Sequence, residues 1–250
     1  SAVDDRFIFA PSDWVYVAGE NAAYRYTQPT RPVPLAGLRT LHSPQVIKRW
    51  ISTKKHCEHT MFDPRLGPGR HKRDNMWMLN QYLPPDWGRY ERDAGTVRPF
   101  IEFMQRLLPD SADYALVMDW LALKVTNPWY RMHGLIMVAE RQGTGRGTLV
   151  NQIVSRLLGE QYCVTVDLET LLGRTYQSQY TDYLSRSLVV SIEEARDSQG
   201  DKANDWNKRK QAYEKLKQVV DPSSKKMHIV RKGVGNTYED VFASVIIATN

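Results

Sequence analysis

The amino-acid sequence predicts an α/β fold in which a central parallel sheet forms the core, preceded by a small module of helices and a hairpin. Three observations carry that expectation. An apolar strand beginning at Leu135 empties into a glycine loop just ahead of an amphipathic helix. Two further runs, Ser187–Ile192 and Ser244–Ala248, are short and almost continuously apolar, as strands buried on both faces are. The N-terminal third instead mixes short alternating segments with proline and glycine turns. At 250 residues, 42% hydrophobic and 25% charged, the chain is long enough for one sizeable core and a smaller subdomain.

The glycine loop, Gly143-Thr144-Gly145-Arg146-Gly147-Thr148, has the composition of a phosphate-binding turn. Glycines let the backbone turn tightly and aim several N–H groups at one anion. The helix expected from about Thr148 adds its positive N-terminal end. Its apolar residues Leu149, Val150, Ile153, Val154, Leu157 and Leu158 recur at helical spacing, and Gly159 is a stop signal. The match to G-x-x-x-x-G-K-[S/T] is imperfect. Glu140 stands at the first glycine position, Arg146 at the lysine and Gly147 at the hydroxyl residue, with Thr148 one place later. Arginine keeps the charge as a planar fork rather than a compact ammonium.

The run Ser187–Ile192 ends in the pair Glu193-Glu194. At the carboxyl end of a strand beside a phosphate loop, Glu193 is placed to hold Mg²⁺ through water and Glu194 to orient or deprotonate an attacking water. The run Ser244–Ala248 leads to Thr249-Asn250. On a strand lying between the other two, the Asn250 amide would reach the γ-phosphate or the lytic water. Just before it, residues 225–238 alternate like a basic hairpin, with Gly233 and Gly235 at the turn.

These elements in this order resemble the superfamily-three AAA+ helicases, specifically the helicase part of phage and plasmid primase-helicase replication proteins. Gln142–Leu149 resembles their Walker A loop, Val189–Ala195 Walker B, Leu216–Gly235 the B′ region and Val245–Asn250 motif C. The likeness covers roughly residues 95–250. It implies an AAA+ P-loop core that binds ATP with Mg²⁺ on Gly143, Thr144, Gly145, Arg146, Gly147 and Thr148. Glu193 would serve the metal, Glu194 the water, and Asn250 would sense the γ-phosphate. Lys232, with Arg231 beside it, would meet the DNA backbone in the channel of a homo-oligomeric ring, a hexamer, translocating on single-stranded DNA. Arg146 in place of lysine bears on the rate of hydrolysis more than on binding. The family continues past motif C into a last strand and an arginine finger, and a primase-polymerase domain commonly precedes the helicase. The chain is therefore expected to be a fragment of a longer replication protein.

Composition agrees. The net charge of +6 and a pI near 9.2 suit a polyanionic partner such as nucleic acid. Basic clusters lie at Lys54-Lys55, His71-Lys72-Arg73, Lys208-Arg209-Lys210, Lys225-Lys226 and Arg231-Lys232. Only the last two are credited with binding, because of their hairpin context; the others read as solvated faces. No run approaches the ~20 apolar residues of a membrane span, and no signal peptide opens the chain. Two distant cysteines, Cys57 and Cys163, point to a reducing cytoplasm, which the resemblance to phage and plasmid proteins implies is that of a bacterial host. The segment His56-Cys57-Glu58-His59 with His71 downstream reads as a basic solvated loop, because neighbouring residues do not readily face one metal.

Three segments are expected: an N-terminal hairpin and loop-rich module over 1–95, a helical linker or oligomerisation segment over 96–130, and the ATPase core over 131–250. Trp14–Tyr26 reads as a hairpin around Gly19-Glu20-Asn21, followed by a proline-rich connector over residues 27–37. Segments 62–69 and 83–88 are dense in turn residues. Helices are expected at Val97–Leu108 and Asp113–Thr126, packed through Phe100, Phe103, Met104, Leu107, Leu116, Val117, Trp120 and Leu121. The tryptophans read as core rather than base-stacking platforms. Two other classes fit parts of the pattern. GTGRGT also resembles the loop of small-molecule P-loop kinases, and Arg146 would suit a non-hydrolysing DNA-binding or assembly module.

Overall fold

A computed structural model describes residues 11–52, 56–86, 96–139, 143–167, 170, 181–193, 213–214, 216–223, 226–231 and 234–249. The chain divides into two compact units, Ser1–Pro84 and Pro85–Asn250.

In the first unit, β1 (Trp14–Val17) and β2 (Ala22–Arg25) pair antiparallel, with Val17 opposite Ala22 and Trp14 opposite Arg25. This is the hairpin that the alternation foretold. Asn21 closes it in the left-handed region at φ 48°, which asparagine tolerates better than most residues. The proline-rich connector is not a connector. Gln28–Pro34 forms β3, which pairs with β2 and lies at the edge of a sheet ordered β3-β2-β1-β4, where β4 is His56–Cys57. An edge position accommodates Pro29, Pro32 and Pro34 because a missing N–H there need not break a ladder. The helices α1 (Leu35–Leu41) and α2 (Pro44–Ser52) bring Leu35, Leu38, Ile47 and Trp50 against Trp14 and Ala23. The opposite face buries Val15, Val17, Ala22 and Tyr24 with Cys57 and Leu79. Both faces of β1 are thus covered, so it carries no polar alternation.

The expected solvated loop around Cys57 is likewise overturned. Cys57 is fully buried in β4, and His59–Met61 forms β5. Burial pushes the Cys57 thiol pKa up, against the pull of Arg70. β5 joins a three-stranded sheet, β5-β7-β6, with β6 at Gly69–Arg73 and β7 at Met76–Asn80. The β6–β7 hairpin lies where the sequence showed only a basic cluster. Its turn signal is Asp74-Asn75, both at positive φ (48° and 64°), as a two-residue hairpin turn of the primed type requires.

The second unit opens with α3 (Arg98–Leu107) and α4 (Ser111–Thr126), near the expected bounds. Asp110 caps α4 by accepting hydrogen bonds from the N–H groups of Ala112 and Asp113. Met104, Val117, Trp120 and Leu121 are buried, whereas Leu116 is 60% exposed and lies outside the packed face. The central sheet is wholly parallel and ordered β8-β13-β10-β9, with β8 at Leu135–Val138, β9 at Cys163–Val166, β10 at Val189–Glu193 and β13 at Ser244–Thr249. The strand that comes last in the chain therefore lies between β8 and β10. Its first four residues, Ser244 to Ile247, are buried, as befits a central parallel strand. One face of the sheet packs Val190, Ile192, Val245 and Ile247 against Val219, Ile229 and Leu184. Across the other face, Val150, Asn151 and Ser155 line a cleft with Val189, Ser191 and Thr165, whose hydroxyls share a hydrogen bond of 2.8 Å between Thr165 and Ser191. β9 had no counterpart in the sequence reading, since Val164 and Val166 alternate with Cys163 and Thr165 and make no continuous apolar run.

Two buried cations hold the approach to β13. Lys124 on α4 is fully buried, and its Nζ donates to the carbonyls of Pro128, Tyr130 and Phe242 at 3.0, 2.9 and 2.8 Å. Arg131 donates through Nη2 to the carbonyls of Gln218 and Val219 at the end of the helix over 216–220, where a cation suits the helix dipole. Burial pushes the Lys124 pKa from 10.5 down to about 7, with Cys163 opposing the shift and Arg131 adding to it. The unfolded chain then binds the extra proton between pH 7 and 10.5, so stability should rise with pH across that window. The slope is on the order of 1 kcal/mol per pH unit. We expect Lys124→Met to flatten that rise in urea titrations between pH 7 and 9. It should also lower stability by roughly 1–3 kcal/mol at pH 9, where the neutral amine still supplies two N–H donors to the carbonyls around it.

Candidate functional site

The register of the parallel sheet sets the site. Val138 of β8 lies opposite Thr249 of β13, and Ala248 lies opposite Glu193 of β10. Val138, Thr249 and Glu193, the last residues of β8, β13 and β10, consequently lie along one carboxyl edge of the sheet. In open parallel sheets this is the edge at which ligands bind. With one strand inserted, β8 and β10 are two strand spacings apart, about 10 Å. That gap leaves room for a phosphate and a water between the loop and the acids.

The loop itself is built for close approach by an anion. Gly143 and Gly145 have φ of +76° and +101°, backbone conformations that side chains with a Cβ rarely adopt. A Cβ on Gly145 would also come within 3.0 Å of the Phe103 ring of α3. Around Gly143 there is open space, with no atom within 4 Å of the position a Cβ would take. The helix begins at Arg146 and runs as α5 (Arg146–Thr148), a π-helical turn (Leu149–Val154) and α6 (Ser155–Leu158) before Gly159 stops it at φ +99°. Leu149, Val150, Val154 and Leu158 are buried under it, whereas Thr148 and Gly147 are exposed. Bare glycines, a helix start and open space fit a phosphate group.

Arg146 is half-buried and turned toward the strand ends. Its Nη1 donates to the carbonyls of Met137 (3.3 Å) and Thr249, and its Nε donates to Thr144 Oγ1 (3.2 Å). The same Thr249 carbonyl accepts from Ala139 N at 3.2 Å. The arginine therefore clamps the loop to both β8 and β13, a role the sequence reading did not foresee. A lysine with its single nitrogen spans such a set of acceptors poorly. Glu193 closes β10 as a strand residue. Glu194, Lys232 and Asn250 lie outside the described residues.

The basic hairpin is present as β11 (Lys226–Arg231) and β12 (Val234–Asp240), antiparallel, with Lys226 opposite Asp240 and His228 opposite Tyr238. Gly235 lies within β12 rather than at the turn. Ile229 packs on the sheet face opposite the cleft under the glycine-loop helix. Arg231 forms a bidentate pair with Glu239, at 2.5 and 2.6 Å, and also donates to Thr237 Oγ1 and Ser185 Oγ. Burial raises the Glu239 pKa, but the Arg231 and Thr237 hydrogen bonds outweigh it and hold the carboxyl below its ordinary range. Arg231, paired with Val234 at the turn end of the ladder, is thus committed to contacts within the protein. Among the described residues, no group of three or more His, Cys, Asp or Glu is placed to hold a metal ion, and no helix is long and apolar enough to cross a membrane.

Gly145→Ala should meet both the positive φ and the Phe103 ring. We expect a stability loss of roughly 1–2 kcal/mol and at least tenfold weaker binding of a fluorescent ATP analogue. Adding Phe103→Ala should relieve the steric part and leave the backbone strain in place. Parent-like affinity in Gly145→Ala would remove the loop from the site.

The model of a family described as a family of unknown function (DUF5906) matches residues 137–250, the segment that contains the loop, the acid strand, the hairpin and β13. No curated protein sequence matches the chain. Among solved structures, the apo structure of the NrS-1 C-terminal region aligns with a TM-score of 0.69 at 17% identity, over 95% of this chain and 54% of that one. Two A-form apo structures of the same region align at TM-scores of 0.63 and 0.64 with 16% and 17% identity, over 95% of this chain and 53% of each. The chain spans about half the length of these solved chains. At such identity the likeness is one of fold. This chain shares with the NrS-1 C-terminal region a mixed α/β fold whose parallel sheet is arranged like a P-loop nucleotide-binding core.

Proposed function

We propose that the second unit is the AAA+ core of an ATP-dependent DNA helicase of the superfamily-three kind, acting within a phage or plasmid replication protein. The observation that carries this reading is the insertion of β13 between β8 and β10. It brings the ends of β8, β13 and β10 to one edge, which supports a γ-phosphate and its attacking water lying between the loop and Glu193.

In this reading the N–H groups from Gly143 to Thr148 bind the phosphates of ATP, and the Thr148 hydroxyl faces the β- and γ-oxygens. Bound magnesium would neutralise charge on the triphosphate, with Glu193 holding it. Glu194 accepts a proton from the water that attacks the γ-phosphorus, and the bond to the ADP leaving oxygen breaks in line. Asn250, one residue past Thr249, reads the γ-phosphate. Because Arg146 bridges Met137 and Thr249, contact between its guanidinium and phosphate would be felt directly at the residue beside Asn250. The hairpin lies on the opposite sheet face from the glycine-loop helix, which suits a DNA contact driven by the nucleotide rather than shared with it. Lys232 at its tip meets the phosphate backbone, and the Arg231–Glu239 pair stiffens the hairpin. A homo-oligomeric ring, a hexamer, would place these tips around one strand of DNA, with a fused primase-polymerase domain upstream.

The Arg146 clamp also favours a second reading, a core that binds nucleotide without turning it over. Steady-state ATPase with and without single-stranded DNA separates the two: stimulation by DNA supports the helicase, and no turnover under any condition supports the non-hydrolysing module. Given turnover, Glu194→Gln should abolish it while leaving Mg-ATP affinity within about twofold. Unchanged turnover would remove Glu194 from catalysis. Lys232→Ala should weaken single-stranded DNA binding and shrink the salt slope by roughly 0.7, with nucleotide affinity unchanged. Arg231→Ala should act chiefly by loosening the hairpin, because Glu239 loses its partner. Its signature would be a lower melting temperature, with Lys232→Ala melting like the parent.

A further inference from the structure

We propose that the β6–β7 hairpin of the first unit is a binding site for single-stranded nucleic acid, in which Trp77 stacks on a base and Lys72, on the same face, holds a flanking phosphate. Trp77 departs from the core role expected of the tryptophans. Trp14 and Trp50 are 8% and 6% exposed, while Trp77 is 40% exposed and its neighbour Met76 39%. An indole left in water forgoes the burial that makes tryptophan stabilising, and aromatic rings so placed commonly face a partner.

The ring is held rather than loose. The Arg70 guanidinium lies 4.6 Å from its centroid, and Arg70 Nη2 is itself fixed on the His56 carbonyl at 3.1 Å. The main chain beneath it is fixed as well: the Trp77 backbone N–H donates to the Glu58 carboxylate, and the Trp77 carbonyl accepts from Glu58 N at 2.8 Å. Lys72 is directly opposite Trp77 in the ladder and Arg73 opposite Met76, and all four are exposed. Directly opposed residues share a face, so one face offers an indole with an ammonium beside it. The tight turn at Asp74-Asn75 fixes the geometry, with the Asp74 carboxylate at its apex. A fixed aromatic plane beside cations is the arrangement that binds single strands without reading sequence.

Charge complementarity favours a nucleic-acid occupant. Residues 1–84 hold twelve Lys and Arg against seven Asp and Glu, whereas residues 85–250 hold twenty-two against twenty-one. Nearly all of the net +6 therefore belongs to the first unit. The attraction for polyanions that composition announces resides there rather than in the nucleotide-binding core. This site stands independently of the helicase reading.

The test is fluorescence anisotropy of the 250-residue chain with labelled oligothymidylate and oligouridylate of about 20 nucleotides, at several salt concentrations. This length exceeds the site size of a typical single-strand-binding fold. Trp77→Ala should weaken binding about tenfold and Trp77→Phe much less. Lys72→Ala should reduce the salt slope by roughly 0.7, the value of one phosphate contact. Lys72→Ala should melt like the parent and Trp77→Phe close to it, whereas Trp77→Ala should melt somewhat lower because it loses the Arg70 contact, so the comparison of Lys72→Ala and Trp77→Phe with the parent separates binding from folding. Loss on either oligonucleotide supports the site, and the difference between the two identifies DNA or RNA as the preferred strand. Parent-like affinity and slope in these variants overturn it, as does loss of binding only to anionic vesicles. Lys232→Ala in the same assay keeps the two sites apart. Loss there alone leaves the β11–β12 contact and removes this one, and loss at the β6–β7 hairpin alone does the reverse.

Discussion

The insertion of β13 between β8 and β10 is the constraint on which the nucleotide-binding core depends. β8 bonds to no other strand among the described residues, and β10 gains from β13 its five-residue parallel register, Val189 opposite Ser244 through Glu193 opposite Ala248. Without that strand the glycine loop and the acid pair would have no fixed relation. Their partners are far apart in the chain, Ile136 with Ile247 for example, so closure carries a large loop entropy that only the finished sheet repays. Several contacts outside the ladder address that cost. Lys124 ties α4 to Phe242 just ahead of β13, Ser244 Oγ accepts from Met132 N at 2.9 Å, and Arg146 closes the far end on Thr249.

The structural use of cations follows from the same need. A guanidinium or ammonium can satisfy two or three carbonyls at once where chain segments meet. Lys124, Arg131 and Arg146 each do so, and Arg231 instead grips a carboxylate. In a basic chain these residues would be counted toward nucleic-acid binding on composition alone, although their charges are spent on the protein itself. Exposed charge is distributed differently, with Lys72 and Arg73 standing free of the core on the first unit's hairpin.

Legibility in the sequence tracked how strongly each element is specified by its own residues. The hairpin around Asn21, helices α3 and α4, strands β8, β10 and β13, and the β11–β12 hairpin all announce themselves through periodicity and punctuation. β3 was hidden because its three prolines signal a connector, and only its edge position makes them tolerable in a strand. The segment around Cys57 was hidden because histidines and a glutamate suggest solvent, whereas Cys57 and Leu79 meet in a core assembled from four elements. β9 interleaves Val164 and Val166 with Cys163 and Thr165 and so makes no continuous apolar run like that of β8. Leu116 fits the helical pattern and yet faces solvent, since a helix with apolar residues on several sides does not declare which side is covered.

What the sequence by itself determined is the local chemistry: glycines where φ must be positive, acids at the end of an apolar run, a helix behind the loop and a basic hairpin ahead of the last strand. These follow from steric and hydrogen-bonding preferences that act over a few residues. The tertiary structure decided the strand order as built, the inward clamp of Arg146, the pairing of Arg231 with Glu239, the burial of Lys124 and the exposure of Trp77. Each of those depends on partners up to 118 residues away, as between Lys124 and Phe242. No local preference encodes such a partner, because only the packed sheet brings the two groups within hydrogen-bond reach.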